Sequence, residues 1–86
     1  MTVIKKDGRI QDFDVEKMRL SVANASDDAK APMSSSDLDL VIKDVMASIE
    51  LVKTKQHLNT AMLREFIIDS LTKFGFSKVA KHYSEY

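Results

Sequence analysis

Only two glycines occur in this chain of 86 residues, and one of them, Gly8, follows Asp7 between two short segments of mixed apolar and polar character. Val3-Ile4-Lys5-Lys6 stands on one side and Arg9-Ile10-Gln11-Asp12-Phe13 on the other. A two-residue Asp-Gly loop is the preferred chemistry for a type I′ turn, whose central residues need positive φ. The start of the chain therefore reads as a β-hairpin, with Lys6 opposite Arg9, Lys5 opposite Ile10 and Val3 opposite Asp12. In that register Val3, Lys5 and Ile10 share one face, while Ile4, Lys6, Arg9, Gln11 and Phe13 share the other. A two-stranded ribbon is marginal by itself, so it must lie on something.

The remainder of the chain supplies helices. Asp14 is a good N-cap, and Val15, Met18, Val22 and Ala25 recur at helical spacing, which predicts a first helix over 15–25. Ala23 to Ser36 is rich in Ala, Ser and Asp and holds Pro32, the single proline, so a loop is expected there. Ser34 or Ser36 then caps a second helix along the stripe Leu38, Val41, Ile42, Val45, Met46 and Ile49. Lys53 to Asn59 reads as a polar connection, with 57–59 a short third strand on the hairpin edge. Thr60 caps a third helix carrying Leu63, Phe66, Ile67, Leu71 and Phe74, which Gly75 ends. Ser77 opens a fourth, with Val79, Ala80, Tyr83 and Tyr86 on one side. The expected fold class is a small α+β domain, about four helices covered by a two- or three-stranded sheet. The chain stops inside the fourth helix without a cap, so it is expected to be one domain over 1–86 and the N-terminal part of a longer protein.

Composition narrows the functional classes. Thirteen basic and thirteen acidic side chains cancel, so the basic excess that accompanies nucleic-acid binding is missing and no nucleic-acid partner is expected. There is no cysteine, which removes disulfides and thiolate metal sites. No apolar run approaches the ~20 residues needed to cross a bilayer, and no signal peptide opens the chain, so a soluble, cytoplasmic protein without a membrane partner is expected. His57 and His82 have no carboxylate or cysteine at ligand spacing, and Ser34-Ser35-Ser36 lacks the glycines of a nucleophile elbow. Asp27-Asp28 and the Asp37/Asp39 pair read as solvated or helix-start charges. No catalytic set and no protein-held metal emerge.

The informative cluster is Lys5, Lys6 and Arg9 at the hairpin tip, with Lys17 one turn into the first helix. Such a group can clamp phosphates while Val3 or Phe13 contacts a base, lysine acting as a point charge and arginine as a bidentate fork. The plainer reading is solvated charge on an edge hairpin, where lysines deter aggregation. Thr60 and Arg64, four apart at the start of the third helix, form either an anion site or a cap followed by a surface arginine.

Val3-Ile4-Lys5-Lys6-Asp7-Gly8-Arg9, followed by Phe13-Asp14 and Glu16-Lys17-Met18, resembles the opening signature of the ATP-cone family. Thr60-Ala61-Met62-Leu63-Arg64-Glu65 with Ile67-Ile68 resembles that family's third helix. Val79-Ala80-Lys81-His82-Tyr83 with Tyr86 is similar to its closing motif. The matches run through nearly the whole chain in the family's order. The resemblance implies a pocket for ATP or dATP, with Mg2+, between a β-ribbon lid and a helical bundle. It implies that Lys5, Lys6 and Lys17 face the phosphates, that Val3 and Phe13 contact the base, and that Gln11 and Asp14 meet base or sugar. Thr60 and Arg64 fall where relatives place a hydroxyl and a polar phosphate ligand. Lys6 stands where arginine is commoner, Gln11 where some relatives carry glutamate, and no arginine follows Tyr86. The partner implied is the catalytic domain or subunit of a ribonucleotide reductase, with nucleotide-dependent homo-oligomerisation as the output. The same domain occurs in the reductase-gene transcriptional repressor, whose cysteines precede the cone; none stand here. The rival from the residues alone is a protein-interaction module with a basic, soluble edge.

Overall fold

A computed structural model describes residues 2–4, 8, 10–52 and 57–85, with the backbone alone at 10–12. Lys5, Lys6, Asp7, Arg9, Lys53 to Gln56 and Tyr86 lie outside the described residues, so the two-residue turn and the basic tip expected there are not among the features described below. The elements run β1 (Thr2–Ile4), β2 (Ile10–Asp12), α1 (Val15–Asp28), α2 (Ser35–Val52), β3 (Leu58–Asn59), α3 (Thr60–Lys73) and α4 (Ser77–Ser84). This is the small α+β architecture the periodicities predict: four helices and one three-stranded sheet among the described residues.

The sheet order is β2-β1-β3, so β1 is central, antiparallel to β2 and parallel to β3. Residues 57–59 were expected to add a strand at the hairpin edge, and Leu58–Asn59 does so, pairing Val3 with Leu58 and Ile4 with Asn59. The hairpin register differs from the expected one. Val3 stands opposite Gln11 and not Asp12, and Ile4 opposite Ile10. Five residues, an odd number, therefore separate Ile4 from Ile10, whereas a two-residue loop encloses an even number. Gly8 adopts φ 85, the left-handed region that glycine enters without a Cβ penalty. One residue of slip exchanges the opposing partners of Val3 and Ile4, and the face grouping that involves Lys5, Lys6 and Arg9 lies outside the described residues.

Helix α1 runs three residues beyond the expected end, to Asp28, and the loop contracts accordingly. What ends it is a C-terminal motif that glycine usually provides. Lys30 N–H donates to Asp27 O at 3.0 Å and Ala31 N–H to Ser26 O at 3.0 Å, with Lys30 at φ 55. Helix α3 ends the same way with the expected glycine: Gly75 N–H to Thr72 O, Phe76 N–H to Leu71 O, and φ 88 at Gly75. Helix α2 opens on a reciprocal capping box, Asp37 N–H to Ser34 Oγ and Ser34 N–H to Asp37 Oδ2, each 3.1 Å. Ser34, not Ser36, is thus the cap. The Asn59 carboxamide, not the Thr60 hydroxyl, caps α3, accepting from Met62 N–H at 2.8 Å. An Asn side chain suits this position at least as well as Thr, and it releases Thr60 into the first turn.

The core is where the stripes meet. Val22 and Ala25 of α1, Val41, Val45 and Ile49 of α2, Ile67 and Leu71 of α3, and Val79 of α4 are all but inaccessible. Val3 and Leu58 bring the sheet onto this cluster. Met18 is buried, while Met46 and Met62 are half-buried against it. Asp39 is not merely a solvated charge, since Arg19 bridges from α1 to its carboxylate and to Ser35 Oγ. Across α2 and α3, Lys73 Nζ donates to Asp44 Oδ1 at 2.9 Å, and this bond, outweighing the upward push of burial, holds the Asp44 carboxyl below the usual range.

Two tests follow from the backbone and this pair. Beyond its own two chain neighbours, a Cβ at Gly75 would meet no heavy atom within 4 Å, so Gly75→Ala isolates the left-handed φ and should cost about 1–2 kcal/mol in urea unfolding, whereas Lys30→Gly should gain about 0.5–1. A depressed carboxylate pKa contributes stability above the unfolded value and loses it as pH falls through the folded one. With Lys73 largely exposed, that contribution is about 0.5–1 kcal/mol. It should be complete above about pH 5, begin to fall near the unfolded carboxylate value of about 4 and be lost as pH drops on through the lowered folded pKa, and Asp44→Asn should flatten that part of the pH profile of unfolding.

Candidate functional site

A cleft opens between α1, α3 and α4, roofed at one end by β1. It has two chambers. The smaller, about 210 Å³, is lined by apolar Val3, Phe13, Met18 and Ile67 with Asp14 and Lys17. The larger, about 610 Å³, is lined by Asn24, Asp27, Asp28 and Arg64. Ser21, Thr60, Leu63 and Tyr83 line both, so the two chambers adjoin at these four residues, termed the neck. Together the chambers fall within the few hundred to a thousand Å³ usual for small-molecule sites.

Each wall follows from a local feature of the chain. Lys17, Ser21, Asn24 and Asp28 sit at spacings of four, three and four on α1, one helical stripe facing the cleft. Asp14 caps α1, its Oδ1 accepting from Glu16 N–H at 3.0 Å and Lys17 N–H at 3.3 Å. Thr60 is the first residue of α3, and its Oγ1 donates to Ile4 O at 3.3 Å, tying helix to sheet. Arg64 lies one turn on, half-buried, with Nη2 donating to Tyr83 O at 3.1 Å and Ser84 O at 3.0 Å. It therefore completes the exposed carbonyl end of α4, where a cation is also favoured by the helix dipole. Val79 and Ala80 of the same helix are buried in the core, which turns Tyr83 towards the neck.

Six of the residues singled out from sequence meet along this cleft: Val3, Phe13, Asp14 and Lys17 at the small chamber, Arg64 at the large one, and Thr60 between. Lys5, Lys6 and Arg9 lie outside the described residues, and Gln11 is described only as the backbone partner of Val3. Sequence reasoning missed Ser21, Asn24, Asp27, Asp28, Leu63 and Tyr83. Ending α1 at Ala25 hid Asp27 and Asp28. Continuing the Lys17 stripe by helical steps would have found Ser21, Asn24 and Asp28.

The family model for the ATP cone domain matches residues 1–86. The chain belongs to the ATP-cone family. A search among curated proteins finds no match to it. An ATP-cone is a regulatory, nucleotide-binding domain and not a catalytic one. No helix among the described residues is long and apolar enough to cross a membrane, and no described cluster of His, Cys, Asp or Glu is placed to hold a metal ion. In this ATP-cone, the family's closing Val-Ala pair is core packing and its tyrosine is a cleft wall.

Arg64 has a structural duty that is measurable without ligand. Truncation in Arg64→Ala removes a charged donor from two carbonyls, and unfolding free energy should fall by about 1–2 kcal/mol, with the amides of α4 exchanging faster than those of α2.

Proposed function

We propose that this ATP-cone binds ATP or dATP as the magnesium complex and thereby sets the activity of a ribonucleotide reductase catalytic domain or subunit, through a nucleotide-dependent change in self-association. One observation carries the nucleotide reading: Val3, Phe13, Asp14, Lys17, Thr60 and Arg64, far apart in sequence, line two adjoining chambers that share four wall residues. The apolar floor of the small chamber suits a flat purine. That chamber alone is smaller than the usual ligand site, so a nucleotide must extend through the neck. Arg64 lines the larger chamber and exposed Lys17 the smaller, so each offers a cation to the phosphates, and Lys5 and Lys6, outside the described residues, are the further cations the family motif supplies.

Asp27 and Asp28 make part of the larger chamber acidic. Phosphate oxygens approaching them would be repelled unless a divalent cation came with them, which favours magnesium carried by the nucleotide over magnesium held by the protein. Binding becomes regulation only through differential affinity for two states of the host.

Calorimetry of the 86-residue chain with ATP, dATP and GTP, with magnesium and with EDTA, tests this. Adenine nucleotides should bind at micromolar concentrations or tighter, and more tightly than GTP. Lys5→Ala or Lys17→Ala should each weaken binding by roughly 1–3 kcal/mol, the range for charged hydrogen bonds, and exposed Lys43→Ala should leave it unchanged. Equal binding of GTP, or indifference to both lysine changes, would overturn the assignment. Size-exclusion chromatography with and without dATP reads the self-association.

A further inference from the structure

A second opening, of about 320 Å³, shares no residue with the cleft. It is lined by Ala29 at the end of α1 and by Lys78, Lys81, His82 and Glu85 of α4 and its C-cap. Lys81, His82 and Glu85 stand three, four and seven residues beyond Lys78, so the four form one stripe of the helix, while Val79 and Ala80 are buried in the core. Both lysines are exposed, and neither makes an ion pair among the described residues. Two like charges three apart on a helix repel, which works against the shortest helix of the fold. Lys30, next to Ala29 in the chain, is exposed too, and at φ 55 it occupies a backbone position where glycine would be more stable. A strained lysine beside two crowded ones is a local conflict of the kind that accompanies binding surfaces.

The sign of this surface selects its partner. Over the whole chain 13 basic and 13 acidic side chains balance, so the excess is local and not the footprint of a chain that tracks a phosphate backbone. Glu85, at the end of the stripe, would meet the next phosphate of a polyanion with the wrong charge. A protein segment can alternate its signs to suit. We infer that the outer face of α4, with the end of α1, is a docking surface for an acidic helical segment of a protein partner. Its carboxylates face Lys30, Lys78 and Lys81, and a cation one turn on faces Glu85.

The test titrates the 86-residue chain with a fluorescein-labelled helical peptide that carries glutamates on one face and a lysine one turn beyond them. Anisotropy at low ionic strength reads the affinity, and amide shifts in NMR spectra read the place. The same peptide with glutamines for glutamates, and a single-stranded oligodeoxynucleotide, are the comparisons. The acidic peptide should bind, with shifts gathered at Ala29, Lys30 and Ser77 to Glu85, and salt at about 0.5 M should abolish binding by screening. Lys78→Glu combined with Lys81→Gln should weaken it by about 3- to 10-fold, the worth of two exposed charge pairs. An acid suits the first turn of a helix and glutamine its interior, so α4 should stay folded in that variant. Lys30→Gly should weaken binding while raising the unfolding free energy, a combination that loss of structure does not produce. Lys43→Glu, on exposed α2 surface, should leave binding unchanged. Absence of acidic-peptide binding, equal binding of the glutamine peptide, or shifts confined to the cleft would overturn the inference. Tighter capture of the oligonucleotide at these same residues would overturn it in favour of a nucleic-acid surface.

Discussion

The junction of β1 with the start of α3 governs the rest of the molecule. Ile4 pairs with Asn59, Asn59 caps α3, and Thr60 returns a hydrogen bond to the Ile4 carbonyl. These contacts, all within two residues of chain at each end, fix the angle at which the sheet meets the helices. Buried Val3 and Leu58 then weld the junction to the core. A β-ribbon has too little surface to choose its own seat, so its position is inherited from this parallel pairing. The cleft exists because that seat holds Val3 and Phe13 over the gap between α1 and α3 instead of closing it.

Much of this arrangement was legible because helical stripes report burial directly. Leu38, Val41, Val45 and Ile49 recur at the helical period, and each is buried. The extent of α1 was less legible, since Ala23 to Asp28 has the composition of a loop. Its continuation depends on tertiary burial of Ala25 and Ser26 and on a lysine accepting a left-handed conformation, neither of which local propensity reveals. The hairpin register was misread for a related reason. Asp-Gly favours an even loop, but the ladder is also set by β3 on the opposite edge of β1, a partner more than fifty residues away in sequence. Asn59 and Thr60 were exchanged in role because adjacent residues both make good caps, and only the pairing of Ile4 decides between them.

The walls of the candidate cleft were legible in part, for the same reasons. Residues carried by the family's motifs on α1 and α3 meet at the cleft, because helix registers were right there. The second half of the α1 stripe was missed because the helix was ended at Ala25, and Tyr83, visible in the closing motif, reaches the cleft only through the packing of α4 on α1 and α3. Polar residues lining a cleft look, in sequence, like any solvated face. Only the run of Lys17, Ser21, Asn24 and Asp28 along one side of a helix of sufficient length distinguishes them.

Arg64 shows how such a small domain can connect a ligand site to its own periphery. Its guanidinium lines the larger chamber and, through Nη2, holds the carbonyls of Tyr83 and Ser84. Its guanidinium has five N–H donors, so Nη2 can hold the two carbonyls while Nε and Nη1 remain on the same rigid plane. Linkage makes the effect reciprocal: whatever affinity an anion gains from the arginine's being held by α4 is returned as stability of the last turn of α4. Because Tyr83 contributes both its carbonyl to Arg64 and its hydroxyl to Ser21, the same residue joins that helix end to the neck. α4 itself, eight residues long and without a side-chain cap at its start, has few local interactions to sustain it, so its order depends on these tertiary bonds and on the burial of Val79 and Ala80.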